Sequence, residues 1–207
     1  MIADDQLALG LDVGPVIRAP VVTLVPEDSV GVTNWLPRSR SAIADAFDDD
    51  ADLFCRLLAA TSPISTVETN VVNAVKAYRV IKWTGKIPHH GFIGVHRVCM
   101  RKILSGDLTE LGRKVYSLYQ NLAGNEEVCP IDRWMLRYFG YKPEMYVGPA
   151  LYDKLEQRIR DEARLRGITP AQRQVQLWCA QRGDPTSYGD VIRRMGLQRV
   201  NLLRRLL

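Results

Sequence analysis

From Arg38 onward, apolar residues recur at spacings near three and four, the period of helices with one buried face. Ile43 and Phe47 mark a segment over residues 42–47, and Leu53, Leu57 and Leu58 mark a second over 51–60, with Asp48-Asp49-Asp50 as its acidic cap. Ser65 opens a third, with Glu68 as a capping-box partner and Val67, Val71, Val72, Val75 and Tyr78 as its stripe; Gly85 and Pro88 close it. Further helices are expected over 93–104, 112–122 and 132–139, followed by a longer one carrying Leu151, Leu155, Ile159 and Ala163 and ending near Gly167. Thr169-Pro170 reads as an N-cap followed by a proline in the first helical position, opening a helix that contains Trp178. In the tail, 188–207, the apolar Val191, Ile192, Met195, Leu202 and Leu203 oppose Arg193, Arg194, Arg199, Arg204 and Arg205. Residues 1–37 break the helical period: Pro15, Pro20, Pro26 and Pro37 punctuate a Val-rich stretch in which residues 21–25 are the best strand candidate. The pattern predicts an all-α domain over 38–207, without internal repeats, preceded by an extended or small β N-terminal arm over 1–37.

Composition agrees with a folded chain. With 207 residues, 46% hydrophobic and 25% charged, disorder is excluded as the main state. A chain of this size buries roughly 70% of its unfolded surface and needs no disulfide or metal staple. Cys55, Cys99, Cys129 and Cys179 are too dispersed for a zinc or iron–sulfur motif and read as reduced core thiols. The first ten residues carry two aspartates and no basic segment, and no apolar run approaches the about 18 residues of a membrane span, so a cytoplasmic protein with no membrane partner is expected.

Charge changes the picture more. Residues 1–62 hold 4 basic and 10 acidic side chains, whereas 63–207 hold 24 and 13, giving −6 against +11. A basic body suits a polyanion, because neutralised phosphates release condensed counterions; ordinary solvated helix faces are the plainer explanation.

The chemistry-bearing stretch is Leu108-Thr109-Glu110-Leu111-Gly112-Arg113-Lys114, then Asn121-Leu122-Ala123-Gly124, then Pro130-Ile131-Asp132-Arg133-Trp134. A glycine at a helix mouth lets backbone N–H groups approach a phosphate, a role open to Gly112 with Arg113 beside it. Two residues on, Lys114 sits where helix dipoles and Arg113 disfavour a positive charge and lower its pKa, and a neutral amine is a nucleophile. Asp132 is expected to cap the next helix with one carboxylate oxygen, leaving the other for chemistry. Lys114 as a solvated lysine and Asp132 as a plain cap are the structural alternatives. Arg133 and Arg137, one turn apart, either clamp phosphates or solvate a helix. Leu118, Tyr116 and Tyr119 read as a packing face. Adjacent His89 and His90 point apart, and neither they nor His96 have a close acidic partner, so no metal or other cofactor is expected.

Gly-x-Lys followed 18 residues after the lysine by Pro-Ile-Asp resembles the helix-hairpin-helix base-excision DNA glycosylase superfamily, above all its lysine-bearing, 8-oxoguanine-type members. Leu57-Leu58-Ala59-Ala60-Thr61-Ser62 also resembles the superfamily loop that faces the extruded base, and the likeness covers roughly residues 50–180. The resemblance implies a two-lobed helical fold, double-stranded DNA with a modified base as substrate, and base flipping. It makes Lys114 the nucleophile on the sugar anomeric carbon and Asp132 the assisting carboxylate. Gly112, Arg113, Arg133 and Arg137 become DNA contacts and Thr61 and Ser62 face the base pocket, for which Trp134, Gln174 and Trp178 are candidate walls, with buried core aromatics and a surface amide as the alternative. The chain departs from the family pattern at Glu110, where a hairpin glycine is usual, and at Arg133-Trp134, and it lacks the four-cysteine iron–sulfur loop of one branch. The implied activity is a bifunctional DNA glycosylase/β-lyase of base excision repair. Two other functions compete: a fold-related phage-type enzyme modifying a hypermodified thymine, and a non-catalytic helical DNA-binding module.

Overall fold

A computed structural model describes residues 29–108 and 110–197. Its elements are α1 (Val30–Thr33), α2 (Trp35–Phe47), α3 (Ala51–Ala60), α4 (Val67–Thr84), α5 (Gly94–Leu104), α6 (Arg113–Leu122), α7 (Arg133–Tyr138), α8 (Pro149–Arg166), α9 (Pro170–Arg182) and α10 (Tyr188–Arg194), with a 3-10 turn at Asp48–Asp50. No strand occurs among the described residues, and none of their helices is long and apolar enough to cross a membrane.

The helix starts follow capping chemistry. Thr66 Oγ1 accepts the Thr69 N–H and opens α4, one residue later than the spacing predicts; Ser65 instead donates to the Thr61 carbonyl at 2.8 Å. Thr169 and Gln172 form a reciprocal capping box on α9, with Pro170 in the first position as expected. Ser187 and Asp190 do the same for α10, which ends at Arg194; residues 198–207 of the two-sided tail lie outside the described residues.

The expected extended arm gives way to helix from Val30. Val32, Trp35, Leu36, Ser39, Ala42, Ile43, Ala46 and Phe47 are all buried at helical spacing, so one apolar stripe runs across the expected boundary at residue 37. Pro37 falls in the first turn of α2, where its missing N–H has no intrahelical partner to lose. The tertiary reward is the burial of Trp35, whose Nε1 donates to the Thr186 carbonyl at 3.0 Å and whose ring meets Tyr188 edge-on at 4.9 Å. Residues 1–28, with the candidate strand 21–25, lie outside the described residues.

Two hydrophobic clusters hold the fold. The larger gathers α2 to α6 and α10 around Phe54, which is fully buried and stacked on Phe47 at 3.6 Å; its truncation to alanine costs about 3–5 kcal/mol. The smaller joins Ile131, Met135 and Leu136 with Tyr152, Leu155 and Ile159 of α8. Helix α9 belongs to both, giving Ala171, Val175 and Cys179 to the larger cluster and Leu177 to the smaller, while Trp178 packs against each. At Gly189, α10 crosses α2 so closely that a Cβ would stand 2.3 Å from the Arg38 carbonyl oxygen.

Candidate active site

A cavity of about 500 Å³ opens between the two clusters, within the size range of small-molecule sites. Lys114, Asp132, Ser62, Gln174, Trp134 and Trp178 all line it, together with Arg133 and Arg137. The structure thus brings together residues as far apart in sequence as Ser62 and Trp178.

Lys114 reaches the cavity from the first turn of α6, and its Nζ donates to Ser62 Oγ at 2.6 Å. Loss of hydration on burial lowers its pKa below the ordinary lysine value; the negative charge of Asp132 opposes that shift, and Arg133 reinforces it. The expected depression is therefore present, but desolvation is its main cause, and the neighbouring cation is Arg133 rather than Arg113. Across the cavity Asp132 caps α7. Its Oδ1 accepts the N–H groups of Trp134 at 2.9 Å and Met135 at 3.1 Å, and its Oδ2 accepts the Trp178 indole N–H at 2.9 Å. The second oxygen is thus oriented by an indole, leaving only its remaining lone pair directed elsewhere.

The loop carrying Ser62 is pinned on both sides. His96, 3% exposed, places Nε2 at 2.8 Å from the Pro63 carbonyl; burial lowers the imidazole pKa, and the Lys114 charge adds to that. Ile64, two residues beyond Ser62, is 80% exposed at the cavity wall with φ of 59°. A β-branched residue in the left-handed region is strained, and exposing its side chain gains no burial. At the mouth Arg137 lies 4.3 Å over the Trp134 ring and Arg133 lies 5.7 Å from it, both side chains reaching solvent.

Of the residues expected in the base pocket, Thr61 lies elsewhere, and two of the expected DNA contacts, Arg113 and Gly112, are off the cavity wall. Thr61 is fully buried and donates to Asn70 Oδ1 at 2.7 Å, and Asn70 Nδ2 donates to Tyr188 Oη at 2.9 Å; it ties α3 to α4 and α10 behind the cavity wall. Arg113 pairs with Asp153 at 2.6 Å and Glu156 at 2.8 Å and lies 4.2 Å over the Tyr152 ring, fastening α6 to α8. Gly112 is the N-cap of α6 and is not among the cavity-lining residues.

Sequence reasoning missed Trp35, Tyr188, Arg182 and Ile64, all on the cavity wall. A signal existed for Arg182, because Gln174, Trp178 and Arg182 recur at intervals of four on α9 and so share one face. Trp35 lies N-terminal to the stretch carrying the family resemblance, and nothing local pairs it with Trp178, which its ring meets edge-on at 5.7 Å.

Residues 28–185 match a family described as a family of unknown function, DUF7178, and the chain belongs to that family. No curated protein and no solved structure matches it.

Proposed function

We propose that this protein is a lysine-dependent DNA glycosylase and β-lyase acting on a modified base in double-stranded DNA. The observation that carries the reading is the meeting of a desolvated amine, Lys114, and a fixed carboxylate, Asp132, on one cavity, each delivered by the start of a different helix. The cavity between two helical clusters, bridged by α9, supports the two-lobed glycosylase-like arrangement that the sequence resemblance implies.

In this reading the target nucleotide leaves the stack and enters the cavity, since a sugar C1′ is unreachable inside the duplex. Neutral Lys114 Nζ forms a bond to C1′ as the C1′–N glycosidic bond breaks, and the base departs with the electron pair and takes up a proton. Asp132 stabilises the positive charge that develops on the sugar. The amine adduct opens to a Schiff base, loss of a C2′ proton expels the 3′-phosphate, and hydrolysis releases the lysine. Ser62 holds the amine in place beforehand, Trp134 and Trp178 wall the base, Gln174 offers it an amide, and Arg133 and Arg137 meet phosphates at the rim. Ile64 stands where an apolar side chain fills the gap left in the duplex.

Borohydride trapping tests the reaction on duplexes carrying oxidised, deaminated, alkylated and hypermodified bases and an abasic site. Wild-type protein is expected to crosslink to the abasic duplex and to one class of lesion, Lys114→Ala to give no adduct, and Asp132→Asn to react slowly. An adduct that persists in Lys114→Ala refutes the assignment. A modified base altered without any adduct selects the base-modifying reading, and salt-dependent binding with neither selects the binding module.

A further inference from the structure

The longest stretch of the chain without a carboxylate, residues 69–106, carries seven Lys and Arg side chains and covers most of α4 and all of α5. Two of the seven are neutralised from outside it: Lys82 pairs with Asp50 at 2.9 Å and Lys102 with Glu110 at 3.3 Å. Arg97 and Arg101 are exposed and have no acidic partner among the described residues. They stand one turn apart on α5 with exposed Val98 between them, opposite the buried face made by His96, Cys99, Met100 and Ile103. That buried face packs on α3, whose one carboxylate, Asp52, is taken by Arg56 and Tyr119. Lys86, in the loop leading into α5, is exposed and likewise without an acidic partner among the described residues.

The face is tied to the cavity. His96, in the first turn of α5, holds the Pro63 carbonyl, so the helix begins beside the loop that sends Ser62 and Ile64 to the cavity wall. Arg133 and Arg137 meet the same cavity from α7, which packs in the other cluster. The turn between α5 and α6, by contrast, carries Asp107 and Glu110, whose charges repel a phosphate. An acidic protein is matched charge by charge and tolerates carboxylates between its contacts, whereas a continuous run of phosphates disfavours a carboxylate anywhere along its path. Helix α5 is about 16 Å long, the length of about five base-pair steps of B-form DNA, and Arg97 and Arg101 lie about 6 Å apart along its axis, within two such steps.

We propose that the outer face of α5, Arg97 and Arg101 with Lys86 at its entrance, is a second phosphate-binding surface that holds the duplex flanking the nucleotide presented to the cavity. That the polyanion is double-stranded DNA rests on the proposed function; the contact itself needs neither the lysine chemistry nor a modified base.

The test is the salt dependence of binding of the full chain to an unmodified duplex, for wild type, Arg97→Gln, Arg101→Gln and the double variant. Each single substitution is expected to flatten the slope of log affinity against log salt by about 0.9, and the double by about 1.8. Between about 50 and about 200 mM salt the double variant should then lose about 10-fold less affinity than wild type does. Neither side chain is paired within the protein, so the variants should melt with wild type; the Arg97→Lys, Arg101→Lys double variant, which keeps both charges, should keep the wild-type slope and separates charge from any change in stability. An unchanged slope in the glutamine double variant, a flattened slope in the lysine one, or wild type that does not bind the duplex overturns the surface. Vesicles of phosphatidylserine and phosphatidylcholine bound more tightly than the duplex at equal salt overturn it in favour of a membrane. Borohydride trapping of wild type on an abasic duplex is read in parallel: adducts with unchanged slopes sink the surface alone, and flattened slopes without adducts leave the surface standing and remove the lysine chemistry.

Discussion

Asp132 does two structural jobs, and its replacement separates them. Asp132→Ala removes the acceptor for two backbone N–H groups at the start of α7, a loss of about 1 kcal/mol for a typical N-cap. It also strands the Trp178 indole N–H in a half-buried position, a further cost of about 1–3 kcal/mol. The sum is about 2–4 kcal/mol. Asp132→Asn keeps the cap, because asparagine is as good an N-cap as aspartate, but turns an NH₂ toward the indole N–H, setting donor against donor. The asparagine variant should therefore lie about 1 kcal/mol above the alanine variant, and both below wild type. Urea denaturation followed by circular dichroism measures this, with an unchanged m-value confirming that only stability has moved. Combining Asp132→Ala with Trp178→Phe closes a double-mutant cycle, expected to show coupling of about 1 kcal/mol because the two side chains share one bond. Equal stability of the alanine and asparagine variants, or coupling no larger than about 0.3 kcal/mol, would refute the division of labour.

Two further outcomes follow from the same geometry. Lys114 has a lowered pKa in the folded protein, so the unfolded chain binds its proton more tightly; the resulting penalty is full below the folded pKa and fades as pH rises through the unfolded value. Lys114→Met is thus expected to stabilise the protein near neutral pH, with the gain shrinking toward strongly alkaline pH, and a melting temperature that is unchanged or lower at pH 7 contradicts it. On the proposed DNA reading, Arg133→Ala or Arg137→Ala at the rim should each flatten the slope of log affinity for duplex DNA against log salt by about 0.9, while Arg113→Ala should lower stability, since its partners are Asp153 and Glu156; titrations at several salt concentrations check the slopes.

What the sequence reveals here is largely local. The α6 start at Gly112–Lys114 and the α7 cap at Asp132 are legible because capping chemistry acts within one helical turn, and both side chains stand where that chemistry puts them. The amide and aromatic positions on α9 are legible for a similar reason. What stays hidden is partners distant in sequence. Arg113 and Thr61 look available until Glu156, Asp153 and Asn70 arrive from other helices. Composition also misleads at the N-terminal side, where valines and prolines suggest an extended chain although Val32, Trp35, Leu36 and Ser39 carry a helical stripe; only the gain from seating Trp35 between Trp178 and Tyr188 decides the matter.

Helix α9 gives the molecule a single keel. Val115 and Leu118, flanking Lys114 on α6, root the amine in one cluster, whereas Ile131 and Met135 root the carboxylate in the other. The span between the Lys114 amine and the Asp132 carboxylate is accordingly inherited from how two separate interiors clamp the same thirteen residues. Substitutions deep in either interior, remote from the cavity, therefore shift the lysine relative to the aspartate, so the geometry of the cavity wall answers to side chains that never touch it.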